Sequence, residues 1–150
     1  MVPSTATAPS ANLQISTTVT DRMVVAYGGS LSGGASAMTY NGVSMVQAVL
    51  EDSSASTSGN LAGIGLYYLL DADLPTTGGT YAVAATFAVA DSHAMVGAVA
   101  ISGVGQSTSG HVIASTAYHN TSATSIAVTI TPLEANSWFI NTAYAVTTST

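Results

Sequence analysis

Residues 38–45 read MTYNGVSM. A two-residue turn of type I′ needs positive φ at both central positions, and Asn41-Gly42 supply it at low steric cost. Met38 and Tyr40 on one side, and Val43 and Met45 on the other, alternate with small polar residues. The stretch therefore reads as a tight β-hairpin, and it sets a period of two for its surroundings. Toward the N-terminus, Leu13, Ile15, Thr17 and Val19 alternate with Asn12, Gln14, Ser16 and Thr18, the pattern of a half-buried strand. Residues 22–27 are apolar on both faces and suit a more central strand, which the glycine-rich stretch 28–34 (GGSLSGG) is expected to break.

On the other side of the hairpin, 51–60 (EDSSASTSGN) reads as a polar loop. Residues 61–70 (LAGIGLYYLL) are apolar enough for a helix. However, Gly63 and Gly65 disfavour one by about 1 kcal/mol each, and Tyr67-Tyr68 favour a strand, so a buried strand is expected. The turn-rich stretch 71–79 leads to Tyr81, Val83, Ala85, Phe87 and Val89, which alternate with Ala82, Ala84, Thr86 and Ala88. One face is large and the other small, and a second layer is expected to pack closely on the small face. Residues 93–102, 111–117, 124–130 and 138–146 complete the strands.

About nine or ten short strands with Gly/Ser/Asn/Asp connections and no credible helix imply an all-β, two-sheet antiparallel β-sandwich, jelly-roll-like. Segments apolar on both faces favour two packed sheets over a closed barrel. The domain reading is a flexible N-terminal arm at 1–11 followed by a single β-sandwich domain at 12–150. No strict repeat is present that would indicate a solenoid.

Composition narrows the function. Only 5% of the 150 residues are charged, against roughly 25% in an ordinary soluble domain. Arg22 is the single basic side chain among Lys and Arg, and the formal net charge is −6. A nucleic-acid partner is excluded on that ground, because displacing counterions from phosphate needs Lys and Arg. At 47% hydrophobic the chain is too apolar for a disordered solvating segment. Ser and Thr number 41, so they must form most of the surface that charges would otherwise solvate. The absence of cysteine rules out disulfide frameworks and thiolate metal sites. The N-terminal MVPSTATAPSAN has neither the basic nor the apolar region of a secretory signal peptide. No apolar run approaches the ~20 residues of a membrane-spanning helix, so the expectation is a protein that is soluble or assembled into something soluble, without a membrane partner.

Motifs for catalysis are lacking. No serine sits in a G-x-S-x-G elbow, and His93, His111 and His119 lack H-x-E or H-E-x-x-H spacing. The expectation is no enzyme, no catalytic residue and no cofactor. Among the few carboxylates, Asp71 and Asp73 are weak candidates for calcium ligation at a strand end, although Asp before Leu-Pro is also an ordinary turn residue. Glu51-Asp52 is a similar pair. Tyr27, Tyr40, Tyr67, Tyr81 and Tyr144 lie beside apolar neighbours, and core or sheet packing accounts for them. Tyr118 with His119 in a connecting stretch, together with Trp138, are the candidates for a ligand or interface surface, with a glycan as the possible ligand. Asn120-Thr-Ser122 matches a glycosylation sequon, read as accidental without a secretion signal.

The ordered set RMVVAYGG (22–29), MTYNGVSM (38–45), GLYYLLDADLPTTGGTYAVAATF (65–87) and AMVGAVAISGVGQ (94–106) resembles a family of β-sandwich domains found in phage virion proteins and large bacterial surface proteins. The resemblance spans residues 21–106. It implies a structural or adhesive role with no catalytic residues; separately, a partner subunit is expected to complete or cover an exposed edge strand. The function expected is a non-enzymatic virion structural protein, most simply a capsid decoration or cement protein. Its partners would be the major capsid protein or other virion subunits, in a homo-oligomer on the extracellular particle surface. The alternative is a carbohydrate-binding or adhesin-type module, or a self-assembling filament subunit, at a bacterial cell surface. The glycan-binding version would use Tyr118, His119 and the Asp71–Asp73 loop, with calcium as a possible cofactor.

Overall fold

The computed structural model describes residues 9–52, 63–91, 93–106 and 139–142. Eight strands are present among them: β1 (Ser10–Ile15), β2 (Met23–Ser30), β3 (Ala37–Tyr40), β4 (Val43–Ser44), β5 (Val46–Asp52), β6 (Gly63–Leu70), β7 (Gly79–Thr86) and β8 (Met95–Ile101). They form two four-stranded sheets, ordered β1-β7-β3-β4 and β5-β6-β2-β8, and every pairing is antiparallel. The fold is the expected all-β sandwich. The expected strands at 111–117 and 124–130 lie outside the described residues. Of the one expected at 138–146, only 139–142 are described, and they are not in a strand.

The hairpin is built as its sequence requires. Asn41 and Gly42 take φ of 52° and 78°, and Tyr40 pairs with Val43. A Cβ on Gly42 would touch nothing within 4 Å, so the backbone angle alone explains this glycine. After β4 the chain changes sheets. Met45 donates its N–H to Met38 O at 2.9 Å in the first sheet, and the next residue, Val46, pairs with Tyr68 in the second. Buried Met45 thus closes one side of the sandwich.

The core lies between the sheets. Leu13, Ile15, Met38, Tyr40, Tyr81, Val83 and Ala85 face Val24, Ala26, Tyr67, Leu69, Val96, Ala98 and Ala100. The Tyr40 and Tyr81 rings meet edge to face, with centroids 5.9 Å apart. Tyr67 donates its hydroxyl to Ala35 O at 2.6 Å, which satisfies a buried carbonyl.

Five local expectations are corrected. The first strand ends at Ile15 rather than running to Val19, because Ser16 Oγ accepts the Thr18 N–H at 3.1 Å and turns the backbone away. It also starts at Ser10, two residues inside the stretch read as an arm, where it pairs with Ala84 of β7. The glycines after Tyr27 do not break β2, which continues to Ser30. A Cβ on Gly28 would stand 2.7 Å from Ala35 Cβ, so this glycine admits the β2–β3 connection, whose Ala35 N–H donates to Gly28 O at 3.1 Å, instead of making a turn. Residues 46–52, the last two of them assigned to a loop, form edge strand β5, with a register shift between Gln47 and Val49. Finally, the large face of β7 is the one that meets the second sheet, with Ala82 and Ala84 outward. Large residues are needed to fill the roughly 10 Å between stacked sheets.

Candidate functional site

The only Lys or Arg side chain in the chain is sequestered. Arg22 is buried at the start of β2, where its Nε donates to Asp71 Oδ1 at 2.7 Å and its Nη2 donates to the same oxygen. Its backbone N–H donates to Asp71 Oδ2 at 3.2 Å, and Nη1 donates to Ser16 O and Pro75 O at 3.1 and 3.2 Å. Gln106 completes the group. Its Oε1 accepts the Asp71 N–H at 2.8 Å, and its Nε2 donates to Arg22 O at 3.2 Å and Val104 O at 2.8 Å. The side-chain hydrogen bonds from Arg22 hold the Asp71 carboxyl below the usual carboxylate range, outweighing its partial desolvation. This arrangement ties the ends of β1, β2 and β6 to the segment after β8. It is a clamp, with both charges consumed inside it.

That clamp settles where Asp71 points. Both of its oxygens accept hydrogen bonds from Arg22. Asp73 stands exposed on the 3₁₀ turn Asp71–Asp73. Among the described residues no group of three or more His, Cys, Asp or Glu side chains is placed to hold a metal. Beside the clamp lies an open cavity of about 310 Å³, lined by Ile15, Ser16, Val19, Arg22, Ala100, Ile101 and Ser102. Its lining holds no carboxylate or imidazole for acid–base work. Tyr118, His119 and Trp138 lie outside the described residues.

The two outward faces of the sandwich differ in kind. On the first sheet, Gln14 lies opposite Thr80, Asn12 opposite Ala82, and Ser10 and Thr39 flank Ala84. These are short polar and small side chains. On the second sheet the outward residues fall into apolar rows across β6, β2 and β8: Leu70–Met23–Ile101, Tyr68–Val25–Val99 and Leu66–Tyr27–Gly97. Val46 of β5 extends the middle row beside Tyr68. Val46 and Val99 at the flanks are 48% and 42% exposed, whereas Met23 and Val25 in the central strand are buried. The rows contain no charged side chain. Gly97 belongs to the arrangement, because the Tyr27 ring lies over it where a Cβ would stand.

The edges differ as well. β4 has two residues, β5 carries the register shift and Glu51, and β1 follows Pro9 and presents Asn12 and Gln14. All are common ways of discouraging edge-to-edge pairing. β8 (MVGAVAI) has none of them: it pairs on one side with β2, without charge, proline or shift. Its free side is an edge among the described residues.

The sequence reading did not identify this outward apolar face, although its signal was present. Segments 22–27, 61–70 and 93–102 are apolar at both parities, and the second parity belongs to the outer surface. No family model, curated protein or solved structure matches this chain.

Proposed function

We propose that this protein is a non-enzymatic structural subunit of a virion, a decoration or cement protein that binds capsid subunits on a phage particle. The observation that carries the reading is the apolar outward face of the second sheet, with Glu51 at its border beside Ile64, set against the polar outward face of the first. Apolar patches of this kind mark contact surfaces, and the three rows themselves carry no charge that would have to be desolvated when they are covered. The polar Thr/Asn/Gln face is then the surface left in water. The β8 edge, unpaired among the described residues, adds a second means of association, by backbone hydrogen bonds to another strand. Self-association into a homo-oligomer and attachment to the major capsid protein or other virion subunits both use these features. The mechanism is mechanical: apolar burial and backbone hydrogen bonding hold neighbouring subunits together. Mass spectrometry of purified particles from the source of this sequence tests the proposal. The protein should be recovered as a multi-copy component, and its absence from particles while abundant on cell surfaces would overturn the reading.

A further inference from the structure

A protease that cuts after Lys or Arg finds one site in this sequence, the Arg22–Met23 bond, because Arg22 is its single Lys or Arg. Such an enzyme draws the basic side chain into a specificity pocket and holds the scissile carbonyl oxygen in an oxyanion hole. It also needs an accessible backbone on both sides of the bond, which is why exposed loops are the preferred sites of nicking.

Each requirement is blocked in the fold. The guanidinium is held by Asp71, Ser16 O and Pro75 O, and the Arg22 side chain is 9% exposed. The scissile carbonyl oxygen, Arg22 O, accepts a hydrogen bond from Gln106 Nε2 at 3.2 Å. On the N-terminal side, Asp21 has φ of 54°, a left-handed rather than extended backbone. Thr20 O and Asp21 O accept the Gly103 and Val104 N–H groups. On the C-terminal side, Met23 and Val24 belong to β2, which pairs with both β6 and β8. Residues 103–106 therefore lie as a strap along the bond, tied to three successive carbonyls.

We propose that this strap and the Arg22–Asp71 pair make the folded protein refractory to trypsin-type proteases. Hydrolysis adds one water across the bond, leaving an Arg22 carboxylate and a Met23 amine. It waits until the strap lifts and the start of β2 separates from β6 and β8. The scarcity of basic residues then has a consequence beyond surface charge. No connection in the sequence carries a site for this class of protease, and the one site lies inside the fold. This inference does not depend on the virion reading.

Trypsin digestion of the untagged full chain, followed by mass spectrometry, tests it. Where opening is fast relative to cleavage, the rate follows the open population, on the order of 10⁻³ or less in a folded protein. The wild type in buffer should therefore be cut at least about a thousandfold more slowly than in urea sufficient to unfold it, with a small arginine peptide correcting for the effect of urea on trypsin. The products should be residues 1–22 and 23–150 alone. Gln106→Ala, which uncovers the scissile carbonyl, should be cut at least about fivefold faster than the wild type in buffer. Asp71→Ala, which releases the guanidinium, should be cut at least about tenfold faster. If Asp71→Ala fails to fold by circular dichroism, Gln106→Ala decides alone. A folded wild type cut as readily as the unfolded chain, or folded variants as resistant as the wild type, would overturn the proposal.

Discussion

Arg22 and Asp71, 49 positions apart in sequence, meet through side-chain hydrogen bonds, one of 2.7 Å, and a backbone hydrogen bond of 3.2 Å. Arg22 is 9% exposed and Asp71 26%. A chain with so few charges has therefore placed its only Lys or Arg side chain where it joins strand ends, and none of that charge serves the surface.

Removing either partner leaves the other partly buried and unpaired. Breaking a buried pair in this way costs about 3–5 kcal/mol, and the partial exposure of Asp71 places Arg22→Met toward the lower end of that range. Asp71→Ala, which strands the more deeply buried guanidinium, should cost more than Arg22→Met. Urea unfolding of the two variants checks the order.

The same pair sets an acid dependence. Arg22 depresses the Asp71 pKa in the folded protein. Between that depressed value and the ordinary carboxylate value, about 3.9, the unfolded chain binds more protons, so stability rises with pH. The contribution is complete above the unfolded value and is lost as pH falls through the folded one. Asp71→Asn should show a shallower loss of stability than the wild type between about pH 5 and 2. Thermal unfolding across that range measures it.

Gly28 and Gly42 should respond to alanine for different reasons. At Gly28 the new methyl collides with Ala35 Cβ, and overpacking of this kind costs about 1–3 kcal/mol. At Gly42 there is open space, and the cost is the left-handed backbone, about 1–2 kcal/mol. Adding Ala35→Gly should rescue Gly28→Ala and leave Gly42→Ala unchanged, which a double-mutant cycle would show.

Tyr67→Phe removes the donor that satisfies Ala35 O. The loss should be about 1–3 kcal/mol, because a buried carbonyl is left without a partner. Chemical denaturation should report it as a shifted midpoint with an unchanged slope.

Much of the fold was legible in local chemistry. Asn41-Gly42 defined the hairpin, and the doubly apolar segments 22–27 and 61–70 indicated central strands, which β2 and β6 are. Features set by distant partners were not legible. Nothing in the glycine run itself shows that Gly28 continues a strand, because the reason is the close approach of Ala35 on the connection to β3. Nothing near Asp71 in the sequence shows that Arg22, 49 positions away, pairs with it. The polar start of 51–60 concealed the end of β5, whose strand character comes from pairing with Gly63 and Ile64. The outward apolar face was written in the sequence as the second parity of three strands. Recognising it required the register that aligns Val25 with Tyr68 and Val99.

That face is the centre of the functional account, and charge placed on it tests the account most directly. Sedimentation velocity should compare the wild type with Leu66→Lys/Val99→Lys on the apolar face and Asn12→Lys/Thr80→Lys on the polar face. The wild type and the polar-face variant should associate with rising concentration, while the apolar-face variant stays monomeric and folded. A wild type that remains monomeric at all concentrations, or two variants that associate alike, would contradict it.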